Sequence, residues 1–345
     1  MGLIRETVAR ALVSSGLLRL AINRRRSKVG VVLMYHKVND NDDPFFPSLP
    51  AAVFDGQVGH LQDYYQVTGL DEMVCWLNSE EGGPPRAAIT IDDGYPDTHA
   101  IVLPILKKRS LPATLFLNTA PVESGETLWM DELSALFAYT EARTFDCPPL
   151  EIAASSIDNA AKRLQARADV GRGLKKQDAS GFARAFEHLR RTLGGASTDA
   201  GRPGMLNWMH VKEIQAGGVR IGAHTHSHKI LSRLTDAEAR DEVATSIELI
   251  RSRLGSTVDC FAYPNGETED FTQANKRMLA DLGIRYSVAT IYGFAVPGQD
   301  PLELRRMYMG DGSVAMFAGR MYMGDGSVAM FAASIARLRD MISMR

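Results

Sequence analysis

Two stretches of this chain concentrate the residue types that hydrolytic chemistry needs. The first is Thr90-Ile91-Asp92-Asp93-Gly94. Adjacent carboxylates at the end of a strand point in different directions, because successive side chains alternate across it. One can hold a cation while the other faces a reacting water; with no cation between them, their repulsion raises one pKa. The bland alternative is a plain Asp-Gly turn. The second stretch is His224-Thr225-His226-Ser227-His228, which places three of the chain's eight histidines within five residues. Neutral imidazole is a favoured zinc ligand, and one carboxylate with two histidines leaves positions open for water and substrate. By spacing alone, His224 can pair with either His226 or His228. A third stretch, Phe261-Ala262-Tyr263-Pro264-Asn265-Gly266, holds a Pro and a Gly that stiffen a turn. It reads equally as a pocket rim offering backbone N–H groups to an oxyanion or as a strand-to-helix connection.

The elements that must position these residues follow from hydrophobic patterning. Strands are expected at Val29–Tyr35, Val67–Leu70, Ala87–Ile91, Ala113–Leu117, Val219–Ala223, Val258–Ala262 and Arg285–Thr290. Amphipathic helices fall between them, among them one over 97–109 and a long one over 235–254. The long one opens on Thr235-Asp-Ala-Glu238, a capping box that satisfies free amides at a helix start. Seven strands separated by helices predict a parallel α/β barrel or a doubly wound sheet. In either, active sites gather at the carboxyl ends of the strands, where all three stretches lie.

Residues 140–200 break the rhythm and read as a charged helical insertion. Between 158 and 191 nine Lys/Arg face four Asp/Glu, a bias that suits a solvated excursion or a groove for an anionic polymer or head group. The first 28 residues hold seven Arg/Lys against Glu6, with apolar residues near helical spacing. They read as a basic amphipathic helix, packed on the domain or lying on an anionic membrane face. Arg19 splits the apolar stretch, so no signal peptide is recognised, and a cytoplasmic location, peripheral to the inner face of a membrane, is expected. Three cysteines without C-x-x-C spacing predict neither a disulfide framework nor a thiolate zinc site. A net charge of -2 gives no pull toward nucleic acid. In the tail, residues 306–319 and 320–333 match at 13 of 14 positions. Two copies cannot occupy one packing position, so local disorder and no chemistry are expected of them.

In order and spacing the chain resembles the NodB-homology polysaccharide deacetylases, carbohydrate esterase family 4. The resemblance spans about residues 29–305. It rests on the opening strand at Leu33–Val38, TIDDGYPD at 90–97, LPILKKRSLPATLFL at 103–117, the segment 206–234 containing HTHSH, and FAYPNG at 261–266. It implies a distorted (β/α)7 barrel with the helical insertion at about 140–200, flanked by the 1–28 helix and a 306–345 C-terminal segment. It implies that Asp92 is the catalytic base and Asp93, His224 and His228 the ligands of a divalent metal, with zinc favoured. The implied substrate is an N-acetylated saccharide, free or lipid-linked, and acetate the product. Tyr263, Pro264 and Trp208 are the expected substrate contacts.

Two departures stand out. The family's third motif usually carries an arginine that contacts the base, and Ala262 takes its position here. No histidine follows His228, so the family's late general acid has no counterpart; His36, at the end of the first strand, is the best substitute, ahead of His99 and His226. These departures keep open a non-catalytic carbohydrate-binding scaffold, alongside an amidohydrolase of small cyclic imides or ureides.

Overall fold

The computed structural model describes residues 29–194 and 204–308. In chain order the strands are β1 (Gly30–Tyr35), β2 (Gln66–Val67), β3 (Arg86–Asp93), β4 (Ala113–Leu117), β5 (Thr144–Cys147), β6 (Ile152–Ser156), β7 (Val219–Ala223), β8 (Cys260–Ala262), β9 (Tyr286–Tyr292) and β10 (Leu304–Tyr308). The helices are α1 (Ala51–Tyr64), α2 (Leu70–Asn78), α3 (Leu103–Arg109), α4 (Thr119–Ser124), α5 (Trp129–Tyr139), α6 (Ala160–Leu174), α7 (Ala179–Leu193), α8 (Trp208–Ala216), α9 (Asp236–Leu254) and α10 (Gln273–Asp281). Seven parallel strands close a ring in the order β1, β3, β4, β7, β8, β9, β10 and back to β1. This is the expected (β/α)7 barrel.

Its strands read as unbroken apolar runs because both faces are covered. One set of alternate residues, including Val31, Leu33, Ile89, Leu115 and Ile221, packs outward with helix residues such as Phe54, Val58, Val243 and Ile250. The other set, Val32, Ala88, Phe116, Cys260, Ala262, Val288 and Leu304, packs with Met73, Trp76 and Leu77 of α2. That helix closes the amino end of the ring: Met73 crowds Gly30, and Trp76 lies under the Arg86 guanidinium, 5.3 Å from ring centroid to Cζ. The carboxyl end is left for the site. The capping box opens α9 as expected, with both Thr235 and Glu238 bonds formed.

The strand count was right, but one strand was misassigned. Of Val67–Leu70, only Val67 is in a strand, the two-residue Gln66–Val67, which pairs beside β3 outside the ring. The seventh stave is Leu304–Tyr308, which runs across the expected 305/306 boundary and brings Arg306 into the barrel. The insertion is more than helical. It begins with an antiparallel hairpin, β5–β6, before α6 and α7. With α5 these elements enclose a second core containing Leu136, Phe137, Phe145, Val170, Phe186 and Leu189. No helix among the described residues is long and apolar enough to cross a membrane. The basic stretch 1–28 and the duplicated segment beyond Tyr308 lie outside the described residues.

Candidate active site

Asp93, His224 and His228 converge at the carboxyl end of the ring. Asp93 ends β3 in register with Leu117 of β4, which is level with Ala223 of β7. His224 therefore emerges one residue above, beside Asp93. The His224 and His228 Nε2 atoms stand 3.5 and 3.4 Å from Asp93 Oδ1. One donor atom from each residue falls within 4.8 Å of the others.

The local backbone is bent to achieve this. Asp93, Thr225 and His228 have φ of 79°, 63° and 58°. Left-handed backbone is costly for a β-branched residue such as Thr225, and strain of this kind clusters at functional sites. The loop is held by Glu242 of α9, whose carboxylate accepts from Ser227 N at 2.8 Å and from Ser227 Oγ at 2.6 Å. The Asn118 side-chain amide holds the His224 carbonyl. Gly94 completes the Asp-Asp turn at φ 99°, where a Cβ would lie 2.7 Å from Leu117.

These residues fit a divalent cation. The Ala262 carbonyl lies 2.7 Å from His224 Nδ1. A carbonyl only accepts, so Nδ1 carries the proton and the neutral ring turns the Nε2 lone pair toward Asp93. Asp93 Oδ1 is buried with no hydrogen-bond partner. Two electron-rich groups thus face each other in a dry site, which a cation between them would relieve. Burial pushes Asp93 up, but the imidazoles of His224, His228 and His36 around it hold it well below the usual carboxylate range. Burial takes His228 down to about 4, which keeps it neutral and able to ligate. Burial also pulls His224 down, but Asp93 and Asp92 outweigh it and raise its affinity for positive charge.

Asp92 is handled differently. It points to the barrel interior, where Arg306 Nη1 donates to its Oδ1 at 2.8 Å and Nη2 lies 2.8 Å from Oδ2. The guanidinium is 1% exposed. It is aimed by Nε donating to the Ala289 carbonyl at 3.0 Å and Nη1 to Thr90 Oγ1 at 3.2 Å. Burial alone pushes Asp92 up, but Arg306, His224 and His36 together bring it below its ordinary value. His36 Nε2 lies 4.0 Å from Asp92 Oδ2, and its side chain is 36% exposed. His36 opens toward a cavity of about 550 Å³ whose lining includes Lys37, Asp93, Tyr95, Arg167 and Tyr308 as well. The Gly94 N–H is taken by the Asp92 carbonyl at 3.0 Å. The next one, on Tyr95, has no acceptor among the described residues.

The sequence model of the family described as polysaccharide deacetylase matches residues 79–172 and 174–287. The chain belongs to this family. It is a hydrolase of the polysaccharide deacetylase type, acting on carbon–nitrogen bonds. Solved structures with the same fold include the Streptococcus pyogenes deacetylase PplD in complex with acetate (18% identity, TM-score 0.56, covering 84% of this chain and 96% of that one). IcaB from Ammonifex degensii is similar (17% identity, TM-score 0.56, 85% and 96% covered). So is a polysaccharide deacetylase from Bacillus cereus (16% identity, TM-score 0.54, 85% and 69% covered). A comparison with curated protein sequences found no match.

The structure brings Asp92, Asp93, His224, His228 and His36 together. It does not bring the expected substrate contacts there. Tyr263 is 1% exposed, stacked 4.0 Å from Phe271, with its hydroxyl donating to the Leu302 carbonyl at 2.9 Å. Pro264 is buried beneath the same turn. Trp208 starts α8, packs on the outer core and donates to Glu123 at 2.6 Å. None of the three lines the cavity; of the aromatic residues that do, Tyr308 is the exposed one. His99 is away from the cavity, 2.5 Å from Glu213 and stacked on His210. His226 is pinned 2.9 Å from Thr119. The sequence does not mark Arg306, because it sits in the duplicated stretch, where neither residue type nor spacing points to chemistry. The usable signal was the unanswered charge of Asp92 once Ala262 occupied the arginine position.

Proposed function

We propose that this deacetylase removes the acetyl group from an N-acetylated saccharide with the aid of a divalent cation held by Asp93, His224 and His228. The ligand set favours zinc. When bound, such an ion polarises the acetamide carbonyl and lowers the pKa of a water. Asp92, kept ionised by Arg306, takes a proton from the attacking water. The water oxygen bonds to the carbonyl carbon, the carbon–nitrogen bond breaks, and His36 gives a proton to the departing nitrogen. The Tyr95 N–H is available to the oxyanion that forms between these events. Acetate and a free amino sugar result. PplD, which shares the fold, was solved with acetate. Tyr308 offers its ring to a sugar face at the rim.

One observation carries this reading: a buried, arginine-locked carboxylate stands beside a separate cluster that fits a cation. It also counts against the scaffold reading, which drew on two absences. Arg306 supplies the guanidinium missing at Ala262, and His36 occupies the place a proton donor needs. The test is acetate release from N-acetylglucosamine oligosaccharides. Release should stop on chelation, return on adding zinc, and be lost in His224→Ala. Release that is indifferent to chelator and to His224 would overturn the proposal.

A further inference from the structure

The cavity is lined by two cations that the reaction does not use, Lys37 and Arg167, and Lys37 is paired with Asp131. Arg167 comes from α6 of the insertion, yet it lines the same cavity as Asp93 and His36. Its Nε donates to Ser134 Oγ at 2.7 Å, and that hydroxyl in turn donates to the Met130 carbonyl at 3.0 Å. The guanidinium is therefore held in place by its inner nitrogen. Its two outer nitrogens have no acceptor among the described residues.

The nearby acid is already committed. One Asp131 oxygen takes Lys37, and the other accepts from the Tyr95 hydroxyl at 2.7 Å. The remaining charges also cancel, with Arg306 against Asp92. Asp93 belongs to the cation cluster. Arg167 is left as an unmatched positive charge, half-buried, with the planar fork that grips carboxylate or phosphate through two parallel hydrogen bonds. A neutral sugar would leave that charge desolvated and unanswered. The cavity, at about 550 Å³, has the size of ordinary ligand sites, large enough for more than the acetamide.

We infer that Arg167 selects a saccharide that carries an acidic group, a carboxylate or a phosphate, close to the acetamido sugar. The inference deepens the deacetylase reading and rests on it. The insertion then has a role in choosing the substrate, by delivering one side chain into the barrel's cavity.

The test uses three probes: a neutral N-acetylglucosamine tetramer, an alternating N-acetylglucosamine–glucuronate tetrasaccharide, and an alkyl phosphodiester of N-acetylglucosamine. Binding is measured on the full chain carrying Asp92→Asn, with Arg167 intact, Arg167→Lys or Arg167→Ala. One acidic probe should bind roughly tenfold or more tightly than the neutral one. Which acidic probe gains identifies the source of the anion. The ratio should fall to near one in Arg167→Ala and be partly kept in Arg167→Lys, which retains charge but not the fork. A ratio, unlike a single affinity, is insensitive to the fraction of folded protein. Equal binding of all probes, or a preference unchanged in Arg167→Ala, overturns the inference. Acetate release by the wild-type chain is followed separately. An Arg167-dependent preference without acetate release would sustain the anion site and sink the deacetylase reading; acetate release without the preference would do the reverse.

Discussion

The two halves of the site are built in different ways. The cation half joins Asp93 at the end of β3 to His224 and His228 in the single loop after β7, on the two strands that flank β4. The base half joins His36 after β1, Asp92 on β3 and Arg306 on β10, residues that meet only because β10 pairs with β1 and β1 with β3. The first half depends on local loop conformation, the second on closure of the barrel. Substitutions in one half should therefore fail differently from those in the other.

The largest effect is expected from His224→Ala. It removes a ligand outright, so bound metal and acetate release should fall together, activity by at least about a hundredfold, as metal analysis and kinetics would show. If the metal stays, the halves are not divided as described.

Arg306→Met should act on the base half alone. It leaves Asp92 buried and unpaired, which costs about 3–5 kcal/mol of stability, measurable by urea unfolding. The sign with pH follows from the carboxyl. Asp92 is held below its ordinary value by Arg306. The pair's stability is thus full above the unfolded carboxyl value and lost as pH falls through the depressed folded one. Without Arg306, burial raises Asp92, so the acidic limb of kcat/KM should move to higher pH. Arg306→Lys should restore part of the shift. An unmoved limb would break the comparison.

His36→Gln should lower kcat by about a hundredfold or more while metal content stays at the wild-type level. A substrate with a good leaving group, which needs little protonation, should lose much less. An equal loss on both would remove His36 as proton donor. Smallest of all is Tyr308→Ala, expected to raise KM a few-fold at unchanged kcat, seen in a saturation curve on the tetramer.

The same division explains what could be read in advance. Carboxylates and histidines at strand ends are visible in sequence because ligand chemistry demands their types and their spacing, which marks Asp92, Asp93, His224, His228 and His36 and leaves Arg306 unmarked. The barrel was legible because its buried strands are runs of β-branched and apolar residues. Leu304–Tyr308 was not: two of its five residues are arginines, Arg305 exposed and Arg306 buried, so neither alternation nor an apolar run marks it. Its charge is intelligible only with Asp92 opposite. Tyr263 and Trp208 show the converse case. An aromatic beside a motif suggests a substrate contact, but chain position does not tell which side of a turn faces the cavity, and both rings pack in the outer core. The hairpin of β5 and β6 went unread because Ile152–Ser156 is short, mostly exposed and carries no alternation.

The most direct test of the account is to measure bound metal and acetate release on one sample of Asp92→Asn. Asparagine keeps the shape and leaves the cation half untouched. The account predicts about one tightly held divalent ion per chain, as in the wild type, with acetate release lowered by about a hundredfold or more. Retained acetate release, or loss of metal together with activity, would contradict it.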